Sequence, residues 1–371
     1  MKQIIVRPEL HHFETCKEFA AEFKLESDDL VLTNEYIYQP CFGALNLPVR
    51  TVFQEKYGAG EPSDVMVRKI IEDADLSSCK RVIAIGGGTV IDIAKVLAVA
   101  DDGDIDRLYD LAPNLPRRRD LVILPTTCGT GSEVTNISVM SRIAKGTKMG
   151  LVSESMYATQ AVLIPELLRG LPFPVFATSS IDALIHAVES CLSPKATAYT
   201  KLFGYKAIEM ILSGYRTIAA EGPQARVELI NDFLLASNFA GLAFGTAGCA
   251  AVHAMSYPLG GTYHVAHGES NYAIFTGVLK NYMALKTDGE IAVMNAFLAK
   301  ILDCDAEAVY DALENLLNQI LPKKALHEYG VKEEDLEHFT DNVMTAQTRL
   351  MVNSFVPLDR ERVYKIYREL Y

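Results

Sequence analysis

Residues 29–164 alternate short apolar runs with helical patterns, and this alternation limits the folds open to the chain. The helical patterns include residues 65–73, with Ser63 as a plausible N-cap, and residues 90–100. The apolar runs predict strands at residues 29–33, 51–54, 81–85, 121–124, 137–140 and 161–164. Strands that alternate with helices are typical of a mostly parallel sheet covered by helices on both faces. We therefore expect an α/β amino-terminal domain.

After Leu171 and Pro172 the pattern changes, because long helical patterns take over and no convincing strand follows. Helices are predicted at residues 179–191, 199–220, 224–244, 247–255 and 267–283, with several more before the last residue, Tyr371. The sequence thus predicts two domains, which a chain of 371 residues readily accommodates. We expect an α/β domain over residues 1–168 and an all-helical domain over residues 169–371.

Charge and composition exclude several classes of partner. The net charge of -12 argues against nucleic acid or an anionic membrane. No uninterrupted apolar run reaches the length of a membrane span, and the first residues do not read as a secretory signal. The seven cysteines include no C-x-x-C pair, which favours reduced and mostly buried thiols. We expect a cytoplasmic protein.

One aspartate and three histidines have spacings that suit a single metal ion. Asp182 and His186 are four apart in a predicted helix, so their side chains leave the same face. With His253 and His267 they offer four N/O donors, which leave room for water or substrate on an iron-like or zinc-like ion. The competing interpretation is a hydrogen-bonded or surface pair, which is the commoner fate of such spacings. The apolar sequence around Asp182 favours a metal, because a buried carboxylate is costly without a partner.

Two polar loops predict a nucleotide site. Residues 86–88 are three glycines between a predicted strand and a predicted helix, where a phosphate can approach the backbone and the helix N-terminus. A tight turn without a ligand is the alternative, and the run matches neither the G-x-G-x-x-G nor the P-loop pattern. Residues 125–133 form a second loop, rich in threonine and glycine, after another strand. Both loops follow predicted parallel strands, where open α/β sheets bind nucleotides. Because the metal residues lie beyond the domain boundary, we expect a catalytic cleft between two domains.

Taken together, these motifs resemble the iron-dependent (group III) alcohol dehydrogenase family. The matching segments are residues 86–95, 125–133, 182–189 and 253–269, and they occur in the family's order. The resemblance implies a Rossmann-like domain, a helical metal-binding domain and NAD(P)-linked interconversion of an alcohol and a carbonyl with Fe(II) or Zn(II). It also implies a homodimer or larger homo-oligomer that acts on a small hydroxy acid or aldehyde.

The resemblance also assigns residues to roles. It gives the metal ligands as Asp182, His186, His253 and His267. It gives the cofactor contacts as Asn34, Gly86, Gly87, Gly88, Thr89, Asp92, Thr126, Thr127, Thr130, Ser132 and Lys148. The candidates for the chemistry and for substrate binding are Tyr257, His264 and His267, with packing near the site as the alternative for the aromatic side chains.

The chain departs from the family pattern at two positions. Tyr257 stands where many members have a further histidine, so the proton relay would use Tyr257, a water or the ribose hydroxyl. Asn34 stands where many NAD-preferring members carry an aspartate, whose charge repels the 2′-phosphate of NADP. The sequence therefore leaves both NAD and NADP open as cofactors.

Three other functions compete with this hypothesis. A lyase like dehydroquinate synthase would need basic side chains for a phosphorylated substrate, and residues 257–268 contain no lysine or arginine. A binding module without catalysis would not require both sites. A simple alcohol or 1,3-propanediol dehydrogenase would share the metal and the cofactor and differ only in substrate.

Overall fold

The computed structural model describes residues 3–145 and 147–371 and divides them into two units. One unit is Val6–Leu171. The other is Pro172–Tyr371 together with the short N-terminal stretch that ends at Ile5. The division between Leu171 and Pro172 lies where long helical patterns replace the strand patterns of the sequence.

The unit Val6–Leu171 is built on a parallel sheet. Its strands are β1 (Glu9–His12), β2 (Asp29–Thr33), β3 (Arg50–Phe53), β4 (Arg81–Gly86), β5 (Asp120–Pro125), β6 (Ile137–Arg142), β7 (Thr147–Val152) and β8 (Gln160–Leu163). Six of them form one sheet in the order β1-β8-β5-β4-β2-β3, and every neighbouring pair is parallel. The predicted α/β class is confirmed.

The helices of this unit are α1 (Cys16–Phe23), α2 (Glu35–Phe42), α3 (Asp64–Ala74), α4 (Gly88–Leu97) and α5 (Ile105–Leu111). The predicted cap of α3 is confirmed, since Ser63 Oγ accepts a hydrogen bond of 3.2 Å from the backbone N–H of Met66. Helix α3 buries Val67 and Ile70 in the same core as Val82 of β4. The central strands β2, β4 and β5 each contain a continuous run of buried apolar residues, as expected of parallel strands that are covered on both faces.

The strand predicted at residues 137–140 forms, and it lies outside the parallel sheet. It is β6, which pairs antiparallel with β7 in a separate two-stranded sheet. Burial alternates along β6, as in a strand that covers a core with one face only. Two hydrogen bonds attach it to α4: the Val139 N–H donates to Asp92 Oδ2 at 2.8 Å, and Ser138 Oγ donates to the Asp92 carbonyl at 2.9 Å.

The second unit is helical throughout the part of it that the structure describes, as predicted. Its helices are α6 (Phe173–Leu192), α7 (Ala198–Glu221), α8 (Ile230–Ala247), α9 (Ala251–Tyr263), α10 (His267–Leu285), α11 (Glu290–Leu302), α12 (Val309–Ile320), α13 (Asp335–Ala346), α14 (Thr348–Met351) and α15 (Arg360–Leu370). Two predicted helices need correction. The stretch 224–244 begins as a short 3-10 turn, Pro223–Val227, before α8 starts at Ile230. The helix predicted at 247–255 starts later and extends through Pro258 to Tyr263 as α9.

Helix α6 is the central helix of this unit and packs against α7, α8 and α10. By length and composition it could cross a membrane, but 83% of its most apolar window is buried inside the protein. The bent pair α8 and α9 meets the same criteria only when it is taken as one broken span. Burial in a core accounts for the apolar character of α6 without a bilayer.

Candidate functional site

The structure brings together the four side chains that the spacing singled out. One ligand atom from each of Asp182, His186, His253 and His267 lies within 4.8 Å of the other three. Asp182 Oδ1 is 3.5 Å from His253 Nε2 and 3.8 Å from His267 Nε2, and Asp182 Oδ2 is 3.9 Å from His186 Nδ1. Three of the side chains are buried, whereas 37% of the His267 side chain is exposed. The cluster therefore reaches the surface of its unit at His267.

Three helices carry these donors, and two glycines allow the helices to approach each other. Helix α6 presents Asp182 and His186 one turn apart, while the other two histidines lie in the first turns of α9 and α10. Helices α8 and α9 meet at an angle of 105°, and Gly248 between them has a left-handed φ of 80°. At Gly268 a Cβ would lie only 2.0 Å from the Thr178 carbonyl oxygen. Glycine at this position lets the start of α10 lie directly against α6.

Two further polar residues hold the donors in place. Glu189 Oε2 is 2.6 Å from His253 Nδ1, and the same carboxylate accepts from the backbone N–H groups of Ala250 and Val252 at 3.0 and 2.6 Å. This contact at Nδ1 leaves Nε2 of His253 facing Asp182. Asn271 Nδ2 donates to Asp182 Oδ1 at 2.7 Å. Carboxylates and amides behind the ligands are typical of metal centres, where they orient the donors.

Sequence reasoning missed both of these residues, although helical spacing could have found them. Glu189 is seven residues after Asp182 and three after His186, on the same face of α6. Asn271 is one turn after His267 on α10 and lies 3.3 Å from its Nε2.

The charges of the cluster shift the pKa values of its members. Burial would raise the pKa of Asp182, but the neighbouring histidines outweigh it and hold that pKa well below the usual range. Burial would lower the pKa of His253, but the interactions with Asp182 and Glu189 prevail and raise it to about 9. The carboxylates of Asp182 and Glu189 therefore stabilise a positive charge at His253.

The donor set fits a divalent metal ion. The Nε2 atom of His253 is buried, and no group among the described residues makes a hydrogen bond to it. One carboxylate and three imidazoles are the ligands that Fe(II) and Zn(II) accept in sites that keep a position open for substrate. The cluster could therefore hold such an ion.

Of the residues predicted to support the chemistry, two lie at the cluster. His267 is one of the four donors, and the ring of Tyr257 is 6.1 Å from the His267 ring between centroids. His264 is exposed and follows the last residue of α9 in a left-handed conformation with φ of 56°. Tyr263, the last residue of α9, donates its hydroxyl to Asp335.

The two predicted nucleotide loops lie side by side in the unit Val6–Leu171. In the register of β4 with β5, Gly86 is opposite Pro125, so both loops leave the same edge of the sheet. A Cβ at Gly87 would be 3.3 Å from Thr127 Cγ2, and one at Gly88 would be 3.1 Å from Thr130 Cγ2. The glycine run and the threonine loop therefore face each other, next to the N-terminus of α4.

The polar side chains of these loops fall into two groups. In the first group, Ser132 Oγ donates to Asp92 Oδ1 at 2.9 Å and accepts from the buried Lys95 Nζ at 2.6 Å. Asp92, Lys95 and Ser132 therefore form an internal network. Burial lowers the pKa of Lys95 to about 8, against the opposing charge of Asp92. The second group consists of threonines outside this network. Thr126 is buried, and Thr89 Oγ1 donates to the Gly60 carbonyl. Thr127 Oγ1 is also buried, and it makes no hydrogen bond within the described part of the chain.

The remaining two predicted cofactor contacts lie on other segments. Lys148, on β7, forms an ion pair with Glu61. Asn34 follows β2 directly, and its Nδ2 donates to Gln54 Oε1 at 3.3 Å and to Glu55 Oε2 at 2.9 Å. Asn34 is thus next to a carboxylate that the sequence did not point to.

Comparison with known families agrees with this fold and this cluster. Residues 11–165 match the family model of iron-containing alcohol dehydrogenase, and residues 176–371 match that of the C-terminal part of the Fe-containing alcohol dehydrogenase family. The chain belongs to the iron-containing alcohol dehydrogenase family, as the motifs implied. It is thus an oxidoreductase of the metal-dependent alcohol dehydrogenase class, and the lyase and binding-module hypotheses lose their basis.

Individual relatives narrow the comparison. The chain is 48% identical over 371 residues to the 4-hydroxybutyrate dehydrogenase of Clostridium kluyveri, with all of both chains covered. It is 36% identical over 302 residues to long-chain-alcohol dehydrogenase 1 of Geobacillus thermodenitrificans, with 77% of this chain and 73% of that protein covered.

Solved structures share the fold. The sulfoacetaldehyde reductase from Bifidobacterium kashiwanohense, in complex with NAD+, superposes with a TM-score of 0.84 at 24% identity over 100% of this chain and 99% of that one. A 1,3-propanediol oxidoreductase superposes with a TM-score of 0.85 at 22% identity over 100% of both chains.

Proposed function

We propose that the protein interconverts 4-hydroxybutyrate and succinic semialdehyde with a nicotinamide dinucleotide and a divalent metal ion. The observation that carries this proposal is the 48% identity, over the whole length of both chains, to an enzyme named for 4-hydroxybutyrate. The four donors of the helical unit fit the metal ion that such a reaction needs, and the two neighbouring loops of the other unit fit the dinucleotide.

Asp182, His186, His253 and His267 hold the metal in this proposal. An Fe(II) or Zn(II) ion held by these residues would supply a Lewis acid for the substrate oxygen. Glu189 keeps the Nε2 of His253 available by binding Nδ1, and Asn271 fixes the Asp182 carboxylate. Fe(II) is favoured by the family name, whereas the donor set accepts both ions.

The dinucleotide is proposed to bind at the glycine run, residues 86–88. Its pyrophosphate fits the N-terminus of α4, whose N-cap is Gly87 and carries no side chain to satisfy the first N–H groups. Thr127 and Thr130 line the facing loop with hydroxyl groups. NAD or NADP supplies the hydride chemistry, and the protein supplies binding and orientation.

Tyr257 is the proposed proton carrier where many relatives have a histidine. Its ring is half-buried and lies beside His267, the most exposed of the four donors. A phenol in this place can pass a proton between the substrate oxygen and solvent.

His264 is the proposed partner of the substrate carboxylate. It is exposed, and imidazole can donate a hydrogen bond to a carboxylate in either protonation state. Because φ at His264 is 56°, His264→Asn is the informative change: asparagine tolerates this conformation, and the substitution shortens the side chain. We expect kcat/KM for succinic semialdehyde to fall about ten- to a hundredfold, with that for butyraldehyde largely unchanged. Equal losses on both aldehydes would place His264 in the fold or near the metal instead.

The decisive experiment compares succinic semialdehyde with butyraldehyde. The purified protein is stripped of metal, reloaded with Fe(II) or Zn(II), and assayed with NADH and with NADPH by the absorbance of the reduced nicotinamide. We expect metal-dependent turnover with a clear preference for succinic semialdehyde. A preference for butyraldehyde would contradict the proposed substrate, and turnover that does not depend on metal would contradict the proposed mechanism.

A further inference from the structure

Glu55 occupies the N-terminus of α2 in an unusual way. Its Oε1 accepts from the Glu35 N–H at 2.7 Å, and its Oε2 accepts from Asn34 Nδ2 at 2.9 Å. Asn34 is the N-cap residue of α2, yet its side chain makes no capping hydrogen bond. The carboxylate of Glu55, from the turn that follows β3, thus caps this helix from outside.

This position is next to the proposed pyrophosphate loop. Strand β2 lies between β4 and β3, with Thr33 opposite Ile85 of β4 and opposite Phe53 of β3. Asn34 therefore follows the strand beside the one that leads into the glycine run, and Glu55 lies just after the next strand out. In dinucleotide-binding folds, an acidic residue at the end of the strand beside the glycine loop binds the ribose 2′-OH, and an arginine nearby accommodates the 2′-phosphate of NADP.

We propose that Glu55 supplies the negative charge that Asn34 lacks and makes the protein select NAD over NADP. The inference rests on the proposed dinucleotide site. An ionised carboxylate only accepts hydrogen bonds, so the amide nitrogen of Asn34 faces Glu55 and its Oδ1 faces away. The two residues then divide what one aspartate does elsewhere: the amide of Asn34 offers hydrogen-bonding groups to the ribose, and the carboxylate of Glu55 repels a 2′-phosphate of about two negative charges.

The cations of the same segments do not cancel this charge. The ammonium group of Lys56 lies over the Phe53 ring, 5.1 Å from its centroid. Arg50, at the other end of β3, donates to the carbonyls of Ala74 and Asp75. Within residues 3–145 and 147–371, no lysine or arginine forms an ion pair with Glu55.

The test is the ratio of the dissociation constants for NADH and NADPH, measured by fluorescence titration of the full-length protein. Glu55→Gln removes the charge and keeps one oxygen that can accept from the helix N-terminus. We expect it to tighten NADPH binding about tenfold while NADH binding changes little, because like-charge contacts act mainly against the wrong ligand. The wild-type preference for NADH should shrink as salt is added, since Glu55 is exposed and its charge is screened.

Two further variants separate charge from structure. Glu55→Asp keeps the charge on a shorter side chain and should retain the preference for NADH. Glu35→Gln removes an equal charge from a residue adjacent to Asn34 and should change the ratio much less.

Several outcomes would overturn the inference. Equal affinities of the wild type for both dinucleotides would refute the selectivity itself. If Glu55→Gln weakened the binding of NADH and NADPH in parallel, Glu55 would only support α2. If Glu35→Gln changed the ratio of the two dissociation constants as much as Glu55→Gln does, the selectivity would come from the overall negative charge of this region rather than from Glu55. If neither dinucleotide bound the wild type, both the proposed function and this inference would fail. Equal binding of both dinucleotides would overturn this inference alone, so the two failures can be distinguished.

Discussion

Single residues behind the proposed metal donors should set the metal affinity of the cluster. Glu189 forms three hydrogen-bonding contacts with α9, two to backbone N–H groups and one to His253. Glu189→Gln removes the charge while keeping the volume. We expect the metal affinity to fall about ten- to a hundredfold, the usual effect of losing a carboxylate behind a histidine ligand. Competition titration with a chelating dye measures this loss, and NADH binding serves as the internal control. Unchanged metal affinity with a lowered melting temperature would restrict Glu189 to a structural role.

Two adjacent glycines separate a packing requirement from a binding requirement. A Cβ at Gly86 would lie 2.5 Å from Val90 Cβ, so Gly86→Ala should destabilise the unit by about 1–3 kcal/mol through overpacking. At Gly87 the nearest atom, Thr127 Cγ2, would be 3.3 Å away, so Gly87→Ala should change stability by only about 0.5 kcal/mol. Its added methyl group should nevertheless weaken dinucleotide binding where the pyrophosphate approaches the backbone. Urea unfolding and cofactor titration measure the two effects. Wild-type dinucleotide affinity in Gly87→Ala would identify the run as a turn only.

Sequence patterns reveal residues whose role depends on local spacing, and they miss residues whose role depends on contacts between distant segments. Asp182 and His186 could be found because helical spacing and an apolar surrounding are written in the sequence. Glu55 could not, because its importance comes from the register of β2 with β3, which brings it to Asn34 from 21 residues away. Sequence patterns also did not indicate that the Asp92 carboxylate accepts hydrogen bonds from Ser132 Oγ and the Val139 N–H, because those residues are 40 and 47 positions away.

At the scale of elements, the sequence predicted the strands that contain continuous apolar runs, and it missed strands that lack such a run. Strand β1 is mostly exposed and lies at the edge of the sheet, so it carries no apolar run that a sequence pattern could detect. Strand β6 was detected, but its antiparallel partner β7 was not. The direction and partner of a strand depend on tertiary packing, which local periodicity does not encode.

A charged cluster joins α10 and α12 and gives a pH-dependent contribution to stability. Glu314 on α12 accepts from Thr276 and Lys323 and pairs with Lys280 at 3.2 Å. Burial would raise the pKa of Glu314, but the hydrogen bonds and charges of Lys323, Thr276 and Lys280 outweigh it and lower that pKa to about 2. A carboxyl whose pKa is lowered on folding stabilises the protein above its unfolded pKa of 4.5 and loses this contribution as pH falls from 4.5 towards 2.

Glu314→Gln should therefore cost about 2 kcal/mol of unfolding free energy at pH 7, the size of hydrogen bonds to a charged group. The difference from the wild type should narrow below pH 4.5, where the unfolded carboxyl becomes protonated. Urea unfolding of both proteins at pH 7 and at lower pH tests the sign. A difference that stays constant as the pH falls would mean that shape and packing, rather than charge, set the cost. Glu307→Gln, at an exposed position, is the control and should change little.

For the whole molecule, the proposed metal donors and the proposed nucleotide loops belong to different units, so the two ligands should act on stability separately. All four donors come from α6, α9 and α10 of the helical unit. The glycine run and the threonine loop belong to Val6–Leu171. Removal of metal with EDTA should therefore abolish turnover and leave NADH binding by the other unit intact.

The same division predicts where a metal stabilises the protein. An ion that binds only the folded state at a hundredfold excess over its dissociation constant stabilises by about 2.7 kcal/mol. For a unit of this size that corresponds to a rise in Tm of roughly 5–10 °C. Calorimetry of the EDTA-treated protein with added Zn(II) should show this rise for the wild type and for His338→Ala, a control at an exposed histidine on α13. His267→Ala should show little of it, because one of the four donors is lost. If His267→Ala were stabilised as much as the control, the ion would bind elsewhere and the donor set proposed for the metal would be wrong.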